Sequence, residues 1–222
     1  ELTFEMHDDT IYNQLIIQGE KDYNDESTVL ITDFENGFNP NFTGFFQAGC
    51  TKALTVGGAG QGINFLQQFG TCPWDWLIGY IDYSSTFWYD QQGLVNDPSQ
   101  VYFNIMINGD STMSQVSNVP NSLFKLEFYE DENGDGYYDV NTEDRYDYEF
   151  DVDWNGWRMV SLCYNDADKL VLATTGGDAV RSPSKISNVR TLLLANPESG
   201  FAKADVDFLI WSIGKPLSLI HI

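Results

Sequence analysis

Apolar residues alternate with polar ones along much of the chain, and the clearest case spans residues 123–164. In Phe124-Lys-Leu-Glu-Phe-Tyr129 the large apolar side chains fall on every second position, and Tyr146-Asp-Tyr-Glu-Phe-Asp-Val-Asp-Trp154 repeats the pattern. A period of two predicts strands that bury one face. A third strand follows the corner Trp154-Asn-Gly-Trp157. The folded unit is expected to start at Thr28–Glu35, with further strands at Trp76–Tyr83, Val101–Asn108, Trp157–Tyr164, Val189–Ala195 and Lys203–Ile213. In Val101–Asn108 the set Val101, Phe103, Ile105 and Ile107 is assigned to the core, and Tyr102, Asn104, Met106 and Asn108 to the outward face. Gly, Asn, Asp and Pro separate these short runs, and no long amphipathic helix is apparent. The expectation is an all-β fold, a jelly-roll β-sandwich of two antiparallel sheets.

Residues 1–27 are acidic and irregular apart from Ile11–Ile17, and end in the polar run Lys21-Asp-Tyr-Asn-Asp-Glu-Ser27. They read as a linker or the tail of an upstream domain, with the sandwich domain at 28–222. Gly57-Gly-Ala-Gly-Gln-Gly62 lacks both the spacing of a dinucleotide fingerprint and a following Lys-Ser/Thr, so it reads as a backbone turn.

Charge narrows the function. Thirty-three acidic against eleven basic residues give a net charge of −22, which repels nucleic acid and sulfated polymers. No hydrophobic run is long enough to cross a bilayer. Three cysteines without CxxC spacing argue against a zinc ribbon, leaving one conceivable bridge, Cys50–Cys72. His7 and His221 are the two histidines, so a central Ser-His or Cys-His pair has no material.

Three constellations carry candidate chemistry. Between the first two strands, Asp131, Asn133 and Asp135 recur at alternate positions, with Gly136 after the third, a backbone carbonyl near Tyr137 at the next step and Asp139 two residues beyond it. This is calcium-loop spacing, although Thr142 stands where an EF-hand has its twelfth-position glutamate. The competing reading is a solvated hairpin tip. Next, Glu149, Asp151 and Asp153 alternate along one strand. This row resembles the Glu-x-Asp-x-Glu strand of laminarinase- and lichenase-type jelly-roll hydrolases, whose two catalytic carboxylates stand about 5 Å apart. A solvated face that discourages edge pairing is the alternative.

The third constellation is aromatic: Trp74, Asp75, Trp76, Tyr80, Asp82, Tyr83, Trp88, Tyr89, Asp90, Gln91 and Gln92. Flat rings stack on the C–H faces of sugars while short polar groups pair with hydroxyls. Trp74, Asp75, Trp76, Trp88, Tyr89 and Gln91 are therefore candidate glycan contacts, with Tyr102 and Asn104 extending the site. The competing reading places most of these rings in the core.

Several stretches resemble galactose-binding-like carbohydrate-binding sandwiches, in particular the carboxy-terminal domain of Bacteroidetes surface glycan-binding proteins. They are Ile31-Thr-Asp-Phe-Glu35, Asn96-Asp-Pro98 leading into Val101-Tyr-Phe-Asn-Ile, Phe124-Lys-Leu-Glu-Phe-Tyr, Trp154-Asn-Gly-Trp-Arg-Met-Val-Ser161 and Asp205-Val-Asp-Phe-Leu-Ile. The chain departs from that pattern at Leu162-Cys-Tyr-Asn-Asp. The resemblance implies a structural Ca²⁺ held by Glu35 and Asp207, and upstream immunoglobulin-like spacers with a lipid anchor outside this chain. It also implies a monomer within an outer-membrane uptake assembly at the cell surface. The combined expectation is non-catalytic capture of a neutral polysaccharide for import. A glycosidase using Glu149 and Asp153, or an adhesion sandwich that binds protein, are the alternatives.

Overall fold

Alternating sequences become strands, and the strands find partners in two antiparallel sheets. The structure, a computed structural model, describes residues 28–32, 34–35, 42–45, 50–57, 60–68, 76–82, 96–109, 123–174, 176–194 and 201–217. At 29–30, 32, 42–45, 50–57, 60–68, 76–82, 123, 193–194 and 201–204 it describes the backbone alone. The expected segment Ile11–Ile17 and Cys72 lie outside the described residues, and Cys163 is a free thiol.

The strands are β1 Thr28–Thr32, β2 Phe42–Phe45, β3 Cys50–Gly57, β4 Gly60–Gln68, β5 Trp76–Asp82 and β6 Val101–Gly109. They continue with β7 Leu123–Glu130, β8 Arg145–Asp151, β9 Gly156–Cys163, β10 Val171–Leu172, β11 Ile186–Leu194 and β12 Phe201–Ile213. The first sheet runs β3-β4-β12-β6-β9, with β1 also paired to β12, and the second runs β10-β8-β7-β11-β5-β2. Successive strands switch repeatedly between the sheets, so every face that closes the core is drawn from distant parts of the sequence. Gly57 pairs directly with Gly60, which makes the glycine-rich stretch a hairpin turn.

Between the sheets lies an aromatic core. Phe103 of β6 meets Phe128 of β7 edge-on at 5.2 Å and Trp211 of β12 at 5.0 Å; Phe128 also meets Tyr164 at 5.7 Å. All four rings are fully buried, so rings from both sheets interlock across the interface.

Two assignments change. Val101, Phe103, Ile105 and Ile107 are buried as expected, but Met106 and Asn104 on the opposite face of β6 are buried too. That strand lies between β12 and β9, and the segment after β12 folds back over its outer face through Leu217, whose N–H donates to Asn104 Oδ1 at 3.0 Å. The strand expected through Trp154 stops at Asp151. Val152 turns into the core, and the Trp154 indole donates to the Ile107 carbonyl at 3.3 Å.

Candidate functional site

Alternation places Phe124, Leu126 and Phe128 in the core, so Lys125, Glu127 and Tyr129 lie on the opposite face of β7. Register fills in the neighbours on either side. Tyr129 stands between Arg145 of β8 and Asn188 of β11, Glu127 between Asp147 and Arg190, and Lys125 between Glu149 and Leu192. One strand further, β5 brings Asp82, Tyr80 and Ile78 into register with Asn188, Arg190 and Leu192, and Trp76 with Leu194.

Charges on this face are matched in sign. Lys125 Nζ lies 2.7 Å from Asp147, 3.0 Å from Glu127 and 3.6 Å from Glu149, and Arg145 grips Asp147 at 2.9 Å. The Tyr129 hydroxyl donates to Glu127. Arg190 lies over the Tyr129 ring at 4.4 Å, and Tyr138 meets that ring edge-on at 4.6 Å. Burial pushes the Glu127 carboxyl up, but the Tyr129 hydroxyl and the Lys125 ammonium outweigh it and hold it below the usual range. Three acids interleave with three bases here, so a strongly acidic protein carries one nearly balanced polar face. Glu127, Tyr129 and Asn188 are nonetheless buried, so most of these groups satisfy one another within the protein, and Glu149 is the member of the ion-pair network that stands exposed.

The carboxylate row of a jelly-roll hydrolase does not form. Because β8 ends at Asp151, Asp153 lies beyond the strand, and Glu149 faces the Lys125 ammonium.

Trp74, Asp75, Trp88, Tyr89 and Gln91 lie outside the described residues, while Trp76 opens β5. Tyr102 is half-buried. Asn104 is a correction: its Oδ1 accepts from Ser161 and Leu217, and its Nδ2 donates to Ser212 Oγ and to the Tyr102 and Ile210 carbonyls. With no exposure, it ties three chain segments together and offers nothing to a ligand at the surface.

The acidic loop tops the β7–β8 hairpin. Asp131 is fully buried, and its carboxylate accepts the N–H groups of Gly134, Asp135 and Gly136 at 2.7, 3.2 and 2.8 Å. Gly136 takes φ +89°, a bend suited to glycine. Asp131 and Asp135 come together with Glu143, each offering an oxygen within 4.8 Å of the others. Asn133 caps the Asp135 N–H at 2.8 Å. Asp139 does not belong to this group of three, and its carboxylate accepts the backbone and side-chain N–H groups of Asn141 at 2.9 Å.

Sequence reading missed Glu143 because it stands at the thirteenth position of the loop, one past the place an EF-hand uses. It is fully buried, with Oε2 accepting the Asp139 N–H and Oε1 without a partner. Burial, with Asp131 and Asp135 adding to it, raises its carboxyl above the ordinary range. Hard oxygen donors in this arrangement suit Ca²⁺. Glu35 and Asp207 do not join a third acid among the described residues. Glu35 is exposed, whereas Asp207 is buried at a β12 bulge, where it accepts the Phe208 N–H at 2.8 Å.

Neither a protein-family model nor a curated protein matches the chain. Solved structures do match in fold. One is a family 11 carbohydrate-binding module from Clostridium thermocellum, in complex with a β-1,3-1,4-mixed-linked tetrasaccharide. It is 13% identical over 87% of this chain and 98% of its own, with a TM-score of 0.52. The family 11 module of the cellulosomal cellulase Lic26A-Cel5E from the same organism is 14% identical over the same shares, again at 0.52. A solution structure of CtCBM11 is 15% identical over 86% and 98%, at 0.51. The chain therefore shares the β-sandwich fold of carbohydrate-binding modules across nearly the whole length of those modules.

Proposed function

We propose that this domain is a non-catalytic module that holds a neutral polysaccharide through the aromatic-rich stretches that flank β5. The observation that carries the reading is the sandwich shared with carbohydrate-binding modules, combined with the aromatic-rich sequence on either side of β5. An uncharged ligand rich in hydroxyls suits a chain of net charge −22 better than an anionic polymer does. Strand β5 supports the same conclusion. It lies in register with Arg190, and the aromatic-rich sequence surrounds it, with Trp74 and Asp75 just before and Trp88, Tyr89 and Gln91 soon after. Those rings supply stacking, and the neighbouring amides and acids orient the hydroxyls. The sandwich shared with modules such as the one in complex with a mixed-linked tetrasaccharide makes mixed-linkage β-glucan a suitable first ligand to try.

In this reading the protein works at a bacterial cell surface, tethered by an anchor outside the chain, and retains glycan for an import system. The hairpin-tip carboxylates Asp131, Asp135 and Glu143, with Asn133 beside them, hold a structural Ca²⁺. Affinity electrophoresis through a panel of neutral polysaccharides tests the binding. Retardation by at least one neutral glycan, reduced in Trp74→Ala and Trp88→Ala, is the expected result. Unretarded migration through the whole panel, or release of reducing sugar, would remove the proposal.

A further inference from the structure

A second group of acids sits below the hairpin tip. Glu130 ends β7, Glu132 follows two residues later and Asp144 immediately precedes β8. Each brings a carboxylate oxygen within 4.8 Å of the other two. Glu130 and Asp144 are fully buried, and Glu132 is half-buried, leaving one side open to solvent. Among the described residues none of the three takes part in an ion pair.

Neutral donors fix the group in place. Asp144 accepts the Gly177 and Ala179 N–H groups at 3.1 and 2.6 Å, and Glu132 accepts that of Asp178 at 3.4 Å. Glu130 Oε1 accepts the Ser182 N–H at 2.6 Å and the Tyr164 hydroxyl at 2.8 Å. Glu130 Oε2 is buried without a partner, as is the nearby Tyr146 hydroxyl. A Cβ on residue 177 would lie 2.5 Å from Glu132 Oε2 and 2.6 Å from Asp144 Cγ, so glycine there lets the backbone close over the carboxylates.

Three acids this close, two of them removed from water, repel strongly. A divalent cation removes the repulsion and gives the unpartnered oxygen a ligand. The donors are all oxygen, which selects a hard ion.

We propose that Glu130, Glu132 and Asp144 form a Ca²⁺ site of their own, separate from the loop above it. The proposal does not rest on glycan binding. Calorimetric titration of EDTA-treated protein with CaCl₂, paired with thermal melts, tests it on the wild type and on Glu132→Gln, Glu130→Gln and Asp135→Asn. Glu132→Gln, altering a half-exposed residue, is the variant least liable to disturb folding, and far-UV circular dichroism checks that. The expected result is that Glu132→Gln and Glu130→Gln each bind one Ca²⁺ fewer than the wild type and lose part of the Ca²⁺-induced rise in Tm. Asp135→Asn reports on the loop site, so loss at one site is distinguishable from loss at the other. Unchanged stoichiometry and Tm response in a folded Glu132→Gln would overturn the proposal. So would a wild type that takes up no Ca²⁺ at millimolar concentration.

Discussion

Asn104 shows how a residue read as a surface contact becomes an internal one. Its amide satisfies five groups in β6, β9, β12 and the segment after β12. Truncation leaves several of these buried and unpaired, at roughly 1–3 kcal/mol for a group without a partner. Asn104→Ala is expected to cost about 2–3 kcal/mol in urea denaturation while leaving glycan retardation unchanged. Glu127 carries a second prediction. Its folded carboxyl titrates below its unfolded value, so its contribution is present above the unfolded value and is lost as pH falls through the folded one. Thermal melts across the acid range should show Tm falling there in the wild type, with a shallower slope in Glu127→Gln; equal slopes would assign the acid sensitivity to other carboxylates.

The β7–β8 hairpin illustrates what was legible in sequence at the level of elements. Period-two alternation located both strands, since burial of one face forces that pattern, and the Asp-Asn-Asp-Gly spacing located the turn. Which acids converge was less visible: Asp139 turns to Asn141 while Glu143 folds inward beside Asp131 and Asp135, a choice made by the path of the loop. Glu130, Glu132 and Asp144 escaped notice because adjacent acids at strand ends look like ordinary solvated charge until the 177–182 backbone is placed over them. The same limit applied to β6, whose outward face is covered by residues more than a hundred positions away. Calcium titration followed by melting separates the loop ligands: Glu143→Gln should abolish the loop's contribution to Ca²⁺ binding, whereas Asp139→Asn should change affinity less than about threefold.

Across the whole molecule, two sheets meet through Phe103, Phe128, Tyr164 and Trp211. Phe128→Ala, which opens the middle of the core, should cost about 3–5 kcal/mol by denaturant titration. Binding of a neutral ligand by aromatic stacking should also be nearly indifferent to ionic strength, changing less than about twofold between low and moderate salt; a steep salt dependence would point to a charged partner. The most direct measurement is isothermal titration calorimetry of the wild type, Trp74→Ala and Trp88→Ala with mixed-linkage β-glucan and other neutral polysaccharides, alongside a reducing-sugar assay. The account predicts saturable binding to at least one glycan, weakened about tenfold or more by loss of a stacking ring, with unchanged Tm and no sugar released. Heat-silent titrations backed by equally unretarded gels, or binding that both tryptophan variants retain in full, would contradict it.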